Sequence, residues 1–68
     1  MLMHDIGRVK DLMYDTGMTR LEAEAYAECV EGGTAMTDYA MVAGCSRTLV
    51  NRRVLNARRK ILEAEHGA

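Results

Sequence analysis

Thr37-Asp38-Tyr39-Ala40-Met41-Val42-Ala43-Gly44-Cys45-Ser46-Arg47-Thr48-Leu49-Val50-Asn51-Arg52-Arg53-Val54 is the stretch on which the fold turns. Thr37 is a candidate N-cap for a short helix over Asp38 to Ala43, and Asp38 suits the positive end of its dipole. Gly44-Cys45 then breaks the chain tightly. Ser46 supplies a second cap, and the helix that follows carries Leu49, Val50, Val54, Ala57 and Ile61 as one apolar stripe. Neither Pro nor Gly interrupts the chain from Ser46 to His66, so this helix is expected to run about twenty residues. A short helix, a Gly-containing turn and a long helix opening on Ser and Arg make a helix-turn-helix pattern.

The residue types fit that geometry. Ala40 is small where the second helix must cross the first, Gly44 supplies the sharp turn, Cys45 fills the gap beneath it, and Val50 anchors the second helix. With Val50 inward, Arg47, Thr48, Asn51, Arg52 and Leu55 point outward near the helix start. That is the part of a recognition helix that reaches base edges in the major groove. Arginine makes paired hydrogen bonds to guanine, and asparagine does so to adenine.

Upstream, Thr19-Arg20-Leu21-Glu22 has the capping-box form, in which the Thr side chain and Glu22 satisfy each other's backbone amides. Leu21, Ala25, Tyr26, Cys29 and Val30 follow as an inward stripe, with Glu22, Glu24, Glu28 and Glu31 on the other faces, and Gly32-Gly33 ends the helix. Earlier still, Ile6, Val9, Leu12 and Met13 repeat at helical spacing, and Leu2 and Met3 extend the stripe backwards. Asp5 suits the start and Gly17 the end of this helix, over about residues 5–16. Its stripe needs a partner, either the rest of the domain or a second copy.

Composition agrees with helix throughout. The chain has 68 residues, 49% of them hydrophobic, with six Met and no Pro, Trp or Phe, so the material for a sheet is sparse. The expected fold is all-α: one small four-helix helix-turn-helix domain over 1–68, with a long C-terminal recognition helix. Met13, Met18, Met36 and Met41 read as core or gap filler, and Tyr14, Tyr26 and Tyr39 as packing residues. His4 and His66 lie near the ends and carry no expected role. Cys29 and Cys45 form neither a zinc pattern nor a disulfide framework and read as small buried hydrophobes of a reducing compartment. With no signal-peptide or membrane-length apolar run, a cytoplasmic location is expected. No cofactor, no metal site and no catalytic constellation is expected, so the chain does not read as an enzyme.

The net charge of −1 conceals an asymmetry. Residues 1–45 carry eight acids against Arg8, Lys10 and Arg20, for −5, while residues 46–68 carry six bases against Glu63 and Glu65, for +4. The stretch 46–60 holds all six of those bases and no acid. A basic block on an acidic body points to a polyanion partner for that block.

Met18-Thr19-Arg20-Leu21-Glu22-Ala23-Glu24-Ala25-Tyr26 resembles the opening of region 4 of bacterial sigma factors. Tyr39-Ala40, Ala43-Gly44-Cys45-Ser46-Arg47-Thr48, Val50 and then Ala57-Arg58-Arg59-Lys60-Ile61 resemble that family's helix-turn-helix and its ending. The output domains of LuxR-class response regulators share much of this frame. The resemblance spans about residues 18–62 and leaves the 5–16 helix as an addition. It departs at Asp38-Tyr39, where the family has Glu-Ile, and at Ala43, where it has Leu, which implies a thinner core. Nothing here resembles sigma region 2, so the resemblance implies DNA binding without promoter melting by this chain alone. It implies contacts from Arg47, Thr48, Asn51 and Arg52, with Arg53 and Arg58 on phosphates. Ser46 at the helix start and the Arg58-Arg59-Lys60 cluster complete the candidate set.

The expected function is sequence-specific binding of double-stranded DNA by a small transcriptional regulator acting as a homodimer. The stripe of the first helix, supported by Ile61 and Leu62, is the expected dimer interface. The alternative is a protein-interaction adaptor that binds a component of the transcription machinery through its acidic half.

Overall fold

The computed structural model describes residues 6–67, so Leu2, Met3, His4 and Asp5 lie outside the described residues. Four helices follow one another: α1 (Ile6–Thr16), α2 (Arg20–Tyr26), α3 (Met36–Ala43) and α4 (Arg47–His66). No strand occurs among the described residues. α2 continues directly into a π-helical turn, Ala27–Glu31, which the apolar periodicity does not announce.

Local chemistry explains the boundaries. The Gly17 N–H donates to the Met13 carbonyl at 2.9 Å, and Thr16 Oγ1 accepts from the Met18 N–H at 3.2 Å, so the chain leaves α1 in a fixed direction. α2 opens on the expected capping box: Thr19 Oγ1 accepts from the Glu22 N–H at 3.2 Å, and Glu22 Oε1 accepts from the Thr19 N–H at 2.9 Å. The π turn closes with the Gly32 N–H on the Ala27 carbonyl at 2.8 Å, a bond between residues five apart. Thr34 then donates from its backbone N–H to the Glu28 carbonyl and from its hydroxyl to Glu28 Oε1, each at 3.0 Å. α3 corrects one expectation. It starts at Met36, with extended Ala35 at the N-cap position and no side-chain cap, while Thr37 is exposed within the first turn.

Two apolar clusters share the interior. The first joins Val9, Leu12, Met18, Ala23, Ala27 and Ala57, with Met13, Tyr26 and Ile61 at its edge. The second joins Ala25, Tyr39, Ala40, Val50 and Val54, with Cys29, Val30, Met36 and Cys45 around it. α2 and its π turn lie between them, giving Ala23 and Ala27 to one cluster and Ala25 to the other. α4 runs through both.

Four apolar assignments reverse, at Leu21, Tyr14, Met41 and Ala43, the last expected to face inward with Tyr39 and Ala40. Leu21, expected inward, is 52% exposed, while Ala23 and Ala25 are fully buried. The small side chains let α2 lie close to its neighbours on two sides, and a leucine in its first turn is left outside. Tyr14 and Met41, expected to pack, are 90% and 78% exposed, and Ala43 also faces out. α3 is only eight residues long and buries one edge, through Tyr39 and Ala40, so Met41, Val42 and Ala43 fall beyond it. Glu22 and Glu28 reverse in the other direction and are buried.

Candidate nucleic-acid interface

The segment joining α3 to α4 sets the geometry of the basic face. Gly44 sits in the left-handed region at φ 71°, a conformation that costs a residue with a Cβ about 1–2 kcal/mol. Its N–H donates to the Met41 carbonyl at 3.4 Å, and the Cys45 N–H donates to the Ala40 carbonyl at 3.0 Å. These bonds close α3 and turn the chain. Ser46 then caps α4: its Oγ accepts from the Leu49 N–H at 3.1 Å. Ser46 therefore spends its hydroxyl on the helix start.

Val50 and Val54 are the largest fully buried side chains, and with buried Ala57 they fix the rotation of α4. Arg47, Thr48, Asn51, Arg52, Leu55, Arg58 and Arg59 are consequently exposed. Thr48, Arg52, Leu55 and Arg59, at spacings of four, three and four, form one row along the outward face. Asn51 and Arg58, seven positions apart, run along its shoulder. At about 1.5 Å per residue, Arg52 and Arg59 lie roughly 10 Å apart along the axis. None of Arg47, Arg52, Arg58 and Arg59 pairs with an acid among the described residues.

The other two bases behave differently. Arg53 is half-buried, and its Nη1 reaches Cys45 Sγ at 3.8 Å, a weak contact that leans it against the turn. Lys60, unlike Arg58 and Arg59 of the same candidate cluster, is turned onto an acid of α2. Its Nζ donates to Glu22 Oε1 at 2.7 Å, with the ammonium side chain only a quarter exposed and the carboxylate less. Glu22 thus carries the α2 cap and the Lys60 ion pair on the same oxygen. Burial alone would raise its carboxyl pKa, but the hydrogen bonds from Lys60 and Thr19 outweigh that and hold it below the ordinary glutamate value. The capping box made Glu22 visible as a helix-start residue. A partner 38 positions away left no local sign.

Much of the acidic half is committed within the fold. Glu31 takes Arg8 through three hydrogen bonds of 2.7–3.0 Å, Glu24 takes Arg20 at 3.1 Å, and Glu28 holds Thr34. Cys29 is half-buried, and burial, helped by the neighbouring Glu28 charge, pushes its thiol pKa up, in keeping with a packing role. Among the described residues no group of acids, histidines and cysteines is arranged to hold a metal ion. No described helix is long and apolar enough to cross a membrane. No protein-family model, curated protein or solved structure matches this chain.

Proposed function

We propose that this chain is a sequence-specific binder of double-stranded DNA, a small transcriptional regulator in which α3, the Gly44 turn and α4 work as a helix-turn-helix. In this reading α4 is the recognition helix. The observation that carries it is the exposed side of α4, where Arg47, Arg52, Arg58 and Arg59 stand without an acidic partner among the described residues. Unpaired arginines on one helix face repel one another, and a polyanion relieves that repulsion while releasing its own counterions. The engagement of Glu22, Glu24, Glu28 and Glu31 within the fold speaks against the adaptor alternative, because it leaves the acidic half less charge to offer a partner.

Salt dependence tests the reading. The affinity for duplex DNA should fall steeply as salt rises, and Arg58→Ala and Arg59→Ala should each flatten the log–log slope by about one unit. Lys60→Ala should leave that slope unchanged, since its charge is already balanced by Glu22. Equal slopes in the wild type and both arginine variants would remove Arg58 and Arg59 from the DNA.

A symmetric homodimer belongs to the same proposal, because one recognition helix reads few base pairs and two would meet successive major grooves about 34 Å apart. The interface expected from the α1 stripe must be narrowed. Val9 and Leu12 are buried in the first cluster, 4% and 3% exposed, so neither side chain is left to meet a second copy. What α1 still offers is Ile6, 62% exposed, and Met13, beside an open groove of about 220 Å³ that Lys10, Arg20 and Glu24 also line. Sedimentation equilibrium at micromolar protein should show a dimer that Ile6→Asp weakens. A wild-type monomer over that range would end the dimer proposal and leave the DNA reading standing.

A further inference from the structure

Leu55 stands in the middle of the outward row of α4, 56% exposed, one turn beyond Arg52 and one turn before Arg59. It belongs to neither apolar cluster. A large apolar side chain bracketed by two arginines that pair with no acid among the described residues gains little from their charged ends, and an alanine or a polar residue would serve a merely solvated face better. Four positions earlier, on the adjoining shoulder, stands exposed Asn51, and side chains four apart on a helix lie one above the other.

Resting on the DNA reading above, we infer that Asn51 and Leu55 together read an A·T pair in the major groove, with Asn51 on the adenine edge and Leu55 against the thymine 5-methyl group. The chemistry of the groove supports this division. Adenine offers N7 and the N6 amino group, which one carboxamide satisfies with two hydrogen bonds, and thymine alone among the bases offers a methyl group. Asn51 thus fixes the purine, and Leu55 distinguishes thymine by burying an apolar surface that cytosine lacks. Arg52 and Arg59, on either side, hold the helix in the groove. An exposed leucine that would be a slight liability in the free protein becomes a contact in the complex.

The test removes the methyl group from the DNA before it touches the protein. A duplex recovered by selection from a random pool is resynthesised with deoxyuridine at each thymine in turn, which preserves base pairing and deletes only the 5-methyl group. The wild type should lose affinity at one thymine per half-site, by about fourfold for one buried methyl group. Leu55→Ala should bind the unmodified duplex more weakly by at least that factor and lose all sensitivity to the deoxyuridine exchange. Circular dichroism should show Leu55→Ala as helical as the wild type, since the side chain is outside both clusters. Equal wild-type affinity for the thymine and deoxyuridine duplexes at every position overturns the inference, and needs no variant to fold. A methyl effect that survives in Leu55→Ala assigns the contact to another residue and overturns it equally. Failure to bind any duplex would instead show in the first titration and would sink the underlying DNA reading.

Discussion

Lys60→Met should destabilise the protein by about 2 kcal/mol, because it keeps the apolar stem of the side chain and strands the Glu22 carboxylate. Removing one partner of a fully buried ion pair costs about 3–5 kcal/mol, and the partial exposure of Lys60 sets the lower figure. Against a total of about 3–10 kcal/mol for a chain of this size, that loss is large, and the melting temperature should fall by roughly 10 °C. Glu22→Gln should cost less, since the amide oxygen still accepts from the Thr19 N–H and from Lys60. The double variant should recover part of the single Lys60→Met loss, because no unpaired charge remains. Urea unfolding of the four proteins measures this directly, and strict additivity would show that the two groups do not interact. The sign with pH is also fixed. The Glu22 carboxyl is held below its ordinary value in the folded protein, so its contribution is complete at neutral pH. It is lost as the pH falls below about 4.3 toward the folded value, and wild type should lose more stability there than Glu22→Gln.

Arg52→Ala should cost about 1–3 kcal/mol at the preferred DNA site and relax the choice of base at one position. Arg52 lies on the outward row of α4, less than two turns from the Ser46 cap, where a helix entering a major groove brings its side chains to base edges. Its removal should barely alter stability, since it pairs with no acid among the described residues. Competition binding against a panel of single-base variants separates the two roles an arginine has here. A loss concentrated at one base pair marks a base contact, and an equal loss on every sequence marks a phosphate contact.

The caps of α2 and α4 were legible in the sequence because they are local, whereas Thr37, read as the cap of α3, lies inside its first turn. Thr19 and Glu22 lie within one turn of each other, Ser46 and Leu49 likewise, and Gly44 needs only its own backbone to announce the turn. The rotation of α4 was legible too, since Val50, Val54 and Ala57 are its inward residues in both readings. The rotation of α2 was legible in part: Ala25 is buried and Tyr26, Cys29 and Val30 pack against the clusters, but Leu21 is exposed. Apolar periodicity assigns the interior to the bulky Leu21, whereas a helix packed on two sides favours the alanines that allow close approach. Met41 and Tyr14 misled for a related reason: hydrophobicity says that a side chain gains from burial, and says nothing of whether a neighbour reaches it. The Glu22–Lys60 pair lay beyond sequence reasoning because only the packing of α2 on α4 brings those residues together. Without it, Lys60 looks like one more base in an Arg-Arg-Lys run.

The two clusters do not hold their helices equally. α1 enters only the first and α3 only the second, while α2 and α4 run through both. Local opening should follow that hierarchy, with amides in α1 and α3 exchanging through small fluctuations and those of α2 and α4 only when the whole domain opens. Each detachment of α3 would release the Gly44 turn and blur the start of α4, where the side chains proposed to read bases must be held still. Bound DNA would oppose that release, so amide exchange in α3 should slow in the complex even at residues that never approach the duplex.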